Sequence, residues 1–382
     1  MRCRLRSQSP AGVLLSGGID SATIWGTATR VIESQEGLLA LSGVSPPDSN
    51  CIETRLIGEV LDGNPATASQ VRWDDVEPYL PEIDKALFRL DDPNDTVMEL
   101  QRIMYRQEGR SGVKAVLDGI DADVITSTTI HISDLLRKGK LLTAISEARG
   151  LSYFFKYYYS PIRLLYRGAK SAFTPFWLRN LIRRFDFSDR SGRTVKNSII
   201  SPDLAERINL NERLKRLDSY SWAGKGFTLA AKHALAMNHS NLTVGIERYR
   251  RVSAAHAIEA RHPFLDKRLA EFCLSLPWNQ KIHRGWTKIL MRRMMKGVIP
   301  ESVRWRRGRE HLGWQFSNAI ITHRQDMLRN AIATNLNSLS NYINPVALKQ
   351  ICIQTDIGQS DDGGYALLRV GALGLFLEHS SA

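Results

Sequence analysis

Short apolar runs alternate with amphipathic stretches along the first third of the chain. The run at 12–15 has the length of a buried strand, and residues 22–28 after it have the pattern of a helix. Further strands are predicted at 38–44, 67–73 and 113–117, with helical stretches between them. This alternation predicts an α/β fold with a doubly wound parallel sheet, in which ligands bind beyond the carboxyl ends of the strands.

The pattern becomes mainly helical beyond the fourth predicted strand. Residues 132–148 form a helical stretch, whereas 188–203 have the composition of a loop. The segment 151–187 mixes arginine with aromatic residues, and buried helical packing is favoured there over nucleic-acid or membrane binding. Its aromatic residues are Tyr153, Phe154, Phe155, Tyr157, Tyr158, Tyr159, Trp177 and Phe185. We divide the chain into a nucleotide-binding α/β core at 1–130 and a mainly helical continuation of the same domain at 131–382.

The composition is that of a globular protein. Of the 382 residues, 43% are hydrophobic and 24% are charged, which is enough apolar material for a large core. No run of about 18 apolar residues occurs, so a membrane span is not expected, and the short basic start lacks the pattern of a signal peptide. The four cysteines are scattered without a Cys-x-x-Cys pair, which predicts neither a zinc site nor a disulfide framework and fits the cytoplasm.

The net charge of +13 is unusual, and part of the excess is concentrated. Between residues 283 and 309 there are nine Lys or Arg residues and a single acidic one, Glu301. Such a segment fits a nucleic-acid partner, an anionic surface, a bound polyphosphate or a solvated basic face.

A glycine-rich polar loop follows the first predicted strand. It reads Ser16-Gly17-Gly18-Ile19-Asp20-Ser21. The glycines let the backbone bend sharply and approach a ligand, and the next amides stand at a helix N-terminus, where phosphate binds well. The serines add hydroxyl donors, and Asp20 offers a carboxylate suited to Mg²⁺ beside a polyphosphate. Because the loop matches neither the Walker pattern nor the dinucleotide pattern, we interpret it as a different pyrophosphate-binding loop.

An acidic loop follows the fourth predicted strand, and a lysine stands near the start of a later helix. Residues 118–123 read Asp-Gly-Ile-Asp-Ala-Asp. These carboxylates could complete a Mg²⁺ shell begun by Asp20, or they could form a turn that caps the next helix. Lys288 opens a predicted helix at 289–296 and could neutralise charge that develops on a phosphate, unless it is a solvated helix residue.

Four motifs in this order resemble the synthetase domain of asparagine synthetase. They are Ser-Gly-Gly-Ile-Asp-Ser at 16–21, Asp-Gly-x-x-Ala-Asp at 118–123, Glu-x-Arg-x-Pro-Phe-Leu-Asp at 259–266 and Gly-x-x-Lys-x-x-x-Arg at 285–292. The first is similar to the loop of the N-type ATP pyrophosphatases. The resemblance extends from about residue 4 to about residue 320, and the wider family includes β-lactam synthetase and the lasso-peptide cyclases. It implies the PP-loop ATP pyrophosphatase fold with a large helical C-terminal part.

The resemblance also implies a reaction and site residues. Family members adenylate a carboxylate with ATP and Mg²⁺, release pyrophosphate, and let ammonia or an amine attack the acyl-adenylate. Asp20 and Asp123 are implied as Mg²⁺ ligands, and Lys288 as the group that stabilises charge during adenylation and breakdown of the intermediate. Glu259 and Arg261 are implied as catalytic residues on the acceptor side. The residues implied to bind pyrophosphate or nucleotide are Leu15, Ser16, Gly17, Gly18, Asp20, Ser21 and Gly119.

Two departures from the family pattern bear on the nitrogen source and the substrate. The phosphate loop begins at residue 16, so no N-terminal glutaminase domain is expected, and Cys3 does not match the context of that domain's nucleophile. Nitrogen would then come from free ammonia, an amine or a separate ammonia-supplying glutaminase, unless the reading frame is truncated. Ile120 replaces the glutamate that family members use in forming β-aspartyl-AMP, which argues against aspartate as the substrate.

The leading prediction is an ATP-dependent, AMP-forming amide synthetase that acts on a small-molecule or peptide carboxylate. A lasso-type macrolactam cyclase or another tailoring amide ligase is an alternative. A tRNA-modifying PP-loop enzyme would share the first motif and suit the basic charge, but those enzymes lack the third and fourth motifs, so a nucleic-acid partner is not expected. An inactive remnant is the remaining alternative.

Overall fold

The structure is a computed structural model, and part of the chain lies outside the residues it describes. The described residues are 1–32, 38–62, 68–88, 92–128, 131–156, 158–174, 198–214, 216, 229–308, 312–353 and 361–380. Three of the aromatic residues singled out above, Tyr157, Trp177 and Phe185, are outside them, as is most of the predicted loop at 188–203.

The described strands form a five-stranded parallel sheet and a two-stranded antiparallel hairpin. The strands are β1 (Ala11–Leu14), β2 (Leu38–Val44), β3 (Ala68–Arg72), β4 (Ala115–Leu117), β5 (Glu259–Arg261), β6 (Ile282–His283) and β7 (Trp286–Thr287). The parallel sheet has the order β3-β2-β1-β4-β5, and the hairpin pairs β6 with β7. The central strand β1 pairs with β2 on one side and β4 on the other, so its carboxyl end lies beside theirs.

Helices make up most of the remaining described residues. In chain order they are α1 (Arg2–Leu5), α2 (Ile19–Val31), α3 (Ile52–Leu61), α4 (Leu80–Phe88), α5 (Glu99–Arg110), α6 (Ala122–Thr126), α7 (His131–Arg137), α8 (Leu141–Phe154), α9 (Pro161–Phe173), α10 (Pro202–Arg207), α11 (Leu229–Met237), α12 (Ser240–Ala254), α13 (Lys267–Ser275), α14 (Trp278–Lys281), α15 (Ile289–Met294), α16 (Glu301–Arg304), α17 (Gly313–Thr334), α18 (Leu336–Ser340), α19 (Pro345–Ile353) and α20 (Asp361–Ser380). Short 3₁₀ turns occur at Glu77–Tyr79, Pro93–Val97 and Pro263–Leu265.

Both faces of the parallel sheet are buried under helices. On one face Val13 and Ala40 pack with side chains of α2 and α3 and with residues of the C-terminal part such as Met291. On the other face Leu41 and Val116 pack with α5, α12 and α17. Apolar residues from both sides of every central strand are therefore buried, as expected for a parallel sheet covered by helices. The prediction of a doubly wound α/β fold is confirmed.

The fifth strand was not predicted. β5 is only three residues long, Glu-Ala-Arg, and its two charged side chains give no apolar strand pattern. It pairs with β4 through the registers Ala115–Glu259 and Leu117–Arg261. The sheet therefore takes one strand from the part of the chain beyond residue 130, where mainly helical structure was expected. The division at residue 130 itself stays a prediction.

The helical stretch predicted at 132–148 is two helices. α7 ends at Arg137 and α8 begins at Leu141, with Gly139 between them at φ +69°. A left-handed backbone at a glycine ends a helix at little steric cost, so the apolar spacing on either side did not reveal the break. The two helices pack against each other through Ile132, Leu136 and Ala144.

The C-terminal helices form a layer that is fixed to the sheet domain. Leu328 of α17 and Leu368 of α20 share an apolar cluster with α18 and α19. Arg324 donates to Oδ1 and Oδ2 of Asp84 at 2.6 and 2.7 Å, which links α17 to α4. Among the described residues, no helix combines the length and the apolar character needed to cross a bilayer.

Two helix-interior glycines give a matched test of this packing. A Cβ at Gly26 in α2 would lie 2.8 Å from Cγ1 of Val298, whereas a Cβ at Gly58 in α3 would meet no atom within 4 Å. Gly26→Ala should lower the free energy of unfolding by about 1–3 kcal/mol through overpacking. Gly58→Ala should raise it by up to about 1 kcal/mol through helix propensity. Chemical denaturation measures both, and equal shifts in the two variants would contradict the packing of α2 on residues 298–299.

Candidate active site

The candidate active site lies beyond the carboxyl ends of β1 and β4. The loop that follows β1 and the loop that follows β4 contact each other there through Gly119. A Cβ atom on Gly119 would lie 2.9 Å from the Cβ of Asp20 and 2.9 Å from the backbone nitrogen of Ser21. Because a side chain has no room in that space, the glycine is what lets the acidic loop reach the phosphate loop.

The phosphate loop is held in shape by its own serines and one left-handed glycine. The hydroxyl of Ser21 accepts from the backbone N–H of Ser16 at 3.1 Å and lies 3.2 Å from the carbonyl of Gly18. Gly17 has φ +65°, and a Cβ there would lie 2.8 Å from the carbonyl oxygen of Glu53. Gly18 stands at the N-cap of α2, so the N-terminus of a 13-residue helix faces the site. This is the arrangement of amides that binds phosphate.

A nearly buried ion pair between Arg306 and Glu53 contacts the backbone of the phosphate loop. Nη1 of Arg306 donates to the carbonyl of Gly17 at 3.3 Å and to Oε1 of Glu53 at 3.2 Å. The other carboxylate oxygen of Glu53 accepts from the backbone N–H of Leu312 at 2.8 Å. The side chains of the pair are only 8–9% exposed. Residues distant in sequence therefore fix the conformation of the phosphate loop.

Lys288 stands between the two predicted metal ligands. Its Nζ lies 2.5 Å from Oδ2 of Asp20 and 2.6 Å from Oδ1 of Asp123. The lysine side chain is 6% exposed, whereas that of Asp123 is 74% exposed, so the cluster opens toward solvent on the Asp123 side. Burial raises the pKa of Asp20; Lys288 opposes this effect and the charge of Asp123 adds to it. The structure thus brings together three residues that the sequence predicted to act together.

A short hairpin positions Lys288. The turn between β6 and β7 contains Gly285 at φ +79°, and a Cβ on it would lie 1.9 Å from the carbonyl carbon of Gly150 in α8. The backbone N–H groups of Arg284 and Gly285 donate to the two carboxylate oxygens of Glu147 at 2.7 and 3.1 Å. Lys288 follows directly at φ +56°, a conformation that non-glycine residues adopt mainly when their surroundings impose it. The packing of the hairpin on α8 therefore sets where the ammonium stands.

Glu147 is buried as a carboxylate. Burial by itself would raise its pKa, but the hydrogen bond from His131 and those from the two turn amides bring the pKa below its usual value. Nε2 of His131 lies 3.4 Å from Oε2 of Glu147, and the imidazole stacks on Trp278 with ring centroids 5.2 Å apart. The anchor of the Lys288 hairpin is thus a fixed negative charge.

A second cation lies behind the cluster. Arg292 is buried between the rings of Phe154 and Trp286, with its Cζ 5.5 and 5.1 Å from the two centroids. Its Nε donates to the carbonyl of Thr287 at 2.8 Å, and Nη1 donates to the carbonyl of Arg304. Burial lowers its pKa to about 10, while the charges of the two aspartates oppose that shift. Arg292 therefore adds positive potential to the site from within the protein.

The carboxylates of this cluster fit Mg²⁺. Asp20 and Asp123 supply oxygen ligands, and Mg²⁺ bound with a nucleotide commonly takes one or two carboxylates together with phosphate oxygens and water. Oδ1 of Asp20 is buried and has no hydrogen-bond donor among the described residues. A desolvated carboxylate oxygen without a donor is a position that a metal ion satisfies. The assignment of the two residues as metal ligands stays a prediction.

Other residues predicted for the site have structural partners. Leu15 is 2% exposed and its side chain is part of the core on the α2 face of the sheet. Arg261 donates to Oε2 of Glu259 at 2.6 Å and to the carbonyls of Arg4 and Arg6 at 2.8 and 2.7 Å. These contacts tie β5 to the N-terminal segment. The acceptor-side role of Glu259 and Arg261 stays a prediction.

Sequence reasoning missed several residues that build the site. Glu147 and Arg306 carry no local signal, because each acts through contacts with backbone groups far away in sequence. Asp118 and His262 were both in quoted motifs, but only the pairing of β4 with β5 brings them together. The pair could have been predicted only by recognising that the motif at 259–266 begins with a strand that pairs with the strand before the motif at 118–123.

Comparisons with known proteins agree with the motifs. The family model for asparagine synthase matches residues 1–373. Putative glutamine-hydrolysing asparagine synthetases of Mycobacterium tuberculosis (strain H37Rv) and Mycobacterium bovis are 24% identical over 343 residues, covering 82% of this chain and 48% of theirs.

Glutamine-hydrolysing asparagine synthetase 1 of Bacillus subtilis (strain 168) is 23% identical over 328 residues, covering 78% of this chain and 45% of its own. The chain thus spans about half the length of these curated relatives. The match to the family model over almost the whole chain confirms the resemblance that the four motifs predicted: this protein is a member of the asparagine synthase family.

Proposed function

We propose that this chain activates a carboxylate with ATP and Mg²⁺, forming an acyl-adenylate and pyrophosphate, and then transfers the acyl group to ammonia or an amine. Membership of the asparagine synthase family supports an ATP-dependent synthetase. One observation carries the specific proposal. The ammonium of Lys288 stands between the carboxylates of Asp20 and Asp123 at the N-terminus of α2.

The residues of the phosphate loop bind and orient the triphosphate. The amides at the start of α2 and the hydroxyl of Ser16 face the β and γ phosphates, where the helix dipole favours negative charge. Asp20 and Asp123 would hold Mg²⁺, which would supply neutralisation of charge on the triphosphate. Lys288 stabilises the charge that moves to the leaving pyrophosphate and later to AMP, because its flexible stem lets the ammonium follow that charge.

Ile120 narrows the class of carboxylic acid that the chain would activate. It is half-buried in the loop after β4, two residues from Asp118 and three from Asp123. An apolar side chain there can accept or donate no proton, which disfavours aspartate as the carboxylate and supports the alternative of a tailoring ligase with a peptide or other acid. A separate glutaminase or free ammonia would supply nitrogen if the nucleophile is not an amine, and a cytoplasmic location is part of the same proposal.

The product pair tests the reaction class. The protein, supplied with Mg²⁺, ATP, ammonium and a panel of carboxylic acids, should release AMP and pyrophosphate, and it should exchange labelled pyrophosphate into ATP only when the right acid is present. Chromatography of the nucleotides reads out the result. Formation of ADP and phosphate as the only products would overturn the proposal.

The two aspartates should be needed for turnover rather than for folding. Asp20→Asn and Asp123→Asn each remove a charged Mg²⁺ ligand, so pyrophosphate exchange should fall at least about 10²-fold. The exposed Asp203 in α10 gives the control variant Asp203→Asn, which should keep normal exchange. Circular dichroism should show all three variants folded. Near-normal exchange by Asp123→Asn at ordinary Mg²⁺ concentration would remove Asp123 from the metal site.

Lys288 should contribute more to the rate than to ATP affinity. Lys288→Ala should leave the Kd for ATP within a few-fold but lower turnover by about 10²-fold or more, the effect of losing one transition-state contact. Lys288→Arg should rescue poorly, because the planar guanidinium cannot follow moving charge as an ammonium does. Lys296, exposed just beyond the same helix, supplies the control Lys296→Ala. Equal losses in affinity and rate would make Lys288 a ground-state phosphate contact instead.

A further inference from the structure

A buried histidine–aspartate pair lies next to the phosphate site. Asp118 is the first residue after β4, and His262 is the first residue after β5. Nδ1 of His262 lies 2.9 and 3.0 Å from the two carboxylate oxygens of Asp118. The residues are 3% and 6% exposed, so both partners are out of contact with bulk water. The backbone N–H of Ile120 also donates to Asp118 at 3.1 Å, which fixes the carboxylate.

The pairing determines which ring nitrogen of His262 carries the proton. A carboxylate only accepts, so Nδ1 must be the protonated nitrogen of a neutral ring. Nε2 then holds a lone pair, and this atom is buried and has no hydrogen-bond partner among the described residues. An imidazole oriented by a carboxylate with its other nitrogen unoccupied is the arrangement of a general base.

The pair is joined to the nucleotide site through adjacent residues. Gly119, directly after Asp118, packs against the backbone of Asp20 and Ser21 in the phosphate loop. The loop that carries Asp118 thus contacts the phosphate loop through the next residue along the chain. Ile120, the next residue of the same loop, is apolar and accepts no proton.

The two tyrosines near His262 do not provide a base at neutral pH. The ring of Tyr249 in α12 meets the imidazole edge-on at 5.9 Å between centroids. Burial raises the pKa values of Tyr249 and of Tyr105 in α5, and the charge of Asp118 raises both further, so both phenols stay protonated. Burial raises the pKa of Asp121 in the loop before α6, and the charges of Asp118 and Asp123 add to this effect.

We propose that Nε2 of His262 is the general base of the amide-forming step, with Asp118 as its positioning residue. The inference rests on the proposed function and names a catalytic group for it. The ammonium of Lys288 cannot act in this way, because it is held as a cation between two carboxylates. His262 is a separate group, paired with Asp118, the residue that precedes Gly119.

The step balances in atoms and electrons. The lone pair of a neutral amine or ammonia nitrogen attacks the acyl carbon of the adenylate and forms the C–N bond. The nitrogen then carries one proton too many, and that proton moves to Nε2 of His262. The C–O bond to the phosphate breaks, AMP leaves with the electron pair, and the imidazolium is stabilised by the carboxylate of Asp118 until the proton is released after the products have left.

The test separates proton removal from the other steps. Hydroxylamine is a weak base, so its adduct loses a proton to water readily, whereas the adduct of the more basic ammonia depends on a catalytic base. His262→Gln and Asp118→Asn are compared with the wild type in three assays with the acid found by pyrophosphate exchange. These assays are the exchange itself, transfer to hydroxylamine and transfer to ammonia.

His256 provides the matched control. It is a largely buried histidine that faces the carboxylate of Glu82 at 3.6 Å, just before β5 and therefore at the opposite end of that strand from His262. His256→Gln should leave all three rates unchanged relative to one another. His262→Gln should lower ammonia transfer about 10²–10⁴-fold while exchange and hydroxylamine transfer stay within about 3-fold.

Two outcomes would overturn the inference, and one would overturn the proposed function instead. A parallel fall of all three rates would make the Asp118–His262 pair a structural contact. In a ¹⁵N-histidine NMR spectrum, a proton on Nε2 in the neutral ring of His262 would also exclude the base role, without any substrate. If the wild type gave no pyrophosphate exchange with any acid while the spectrum showed the Nδ1-protonated ring, the proposed reaction would fail and not the chemistry of the pair.

Discussion

The contact of one ammonium with two carboxylates joins three parts of the chain that are far apart in sequence. Asp20 belongs to α2 after the first strand, Asp123 to α6 after the fourth strand, and Lys288 follows the β6–β7 hairpin of the C-terminal part. Only the parallel order of β1 and β4 brings the two acidic segments to one edge. The hairpin adds the cation, and Glu147 keeps the hairpin in place.

The contact between Lys288 and the two aspartates depends on glycines that let backbone segments approach closely. Gly119 on Asp20, Gly17 on Glu53 and Gly285 on Gly150 each occupy a space in which a Cβ would lie within 3 Å of a neighbour. Gly119 joins the two loops of the site to each other, whereas Gly17 and Gly285 join the site to α3 and α8. The glycines of the motifs thus serve the assembly of the site, and a side chain at any of them would push apart the segments that meet there.

The basic segment near residue 300 is partly built into the protein interior. Arg292 is held between two aromatic rings and donates to backbone carbonyls, and Arg306 reaches through to the carbonyl of Gly17. Such arginines are not free to form a groove for nucleic acid, although neighbours such as Arg293 and Lys296 are exposed. Counting charges along the chain could not separate these two kinds of residue, since burial depends on tertiary packing.

The sequence pattern predicted the strands and loops that depend on neighbouring residues. Four strands and the glycine-rich loop followed from apolar runs and glycines, whereas the grouping of Asp20, Asp123 and Lys288 came from the resemblance to the asparagine synthase family. β5 was missed because three residues with two charges carry no strand signal, and Glu147, Arg306 and the Asp118–His262 pair were missed because each depends on contacts between distant segments. Long-range pairing is therefore the part of this site that one sequence does not contain in readable form.

The charges of the Lys288 cluster are matched to those of a metal–nucleotide complex. Two carboxylates around one ammonium leave a net charge of −1, and the raised pKa of Asp20 reflects burial together with the nearby charge of Asp123. On the proposed function, Mg²⁺ would relieve the repulsion between the carboxylates while phosphate oxygens took over the ammonium. On this proposal Mg²⁺ would replace the ammonium as the cation beside the carboxylates. Phosphate oxygens would replace the carboxylates as the anions beside the ammonium, so the charged groups would keep partners of the same sign.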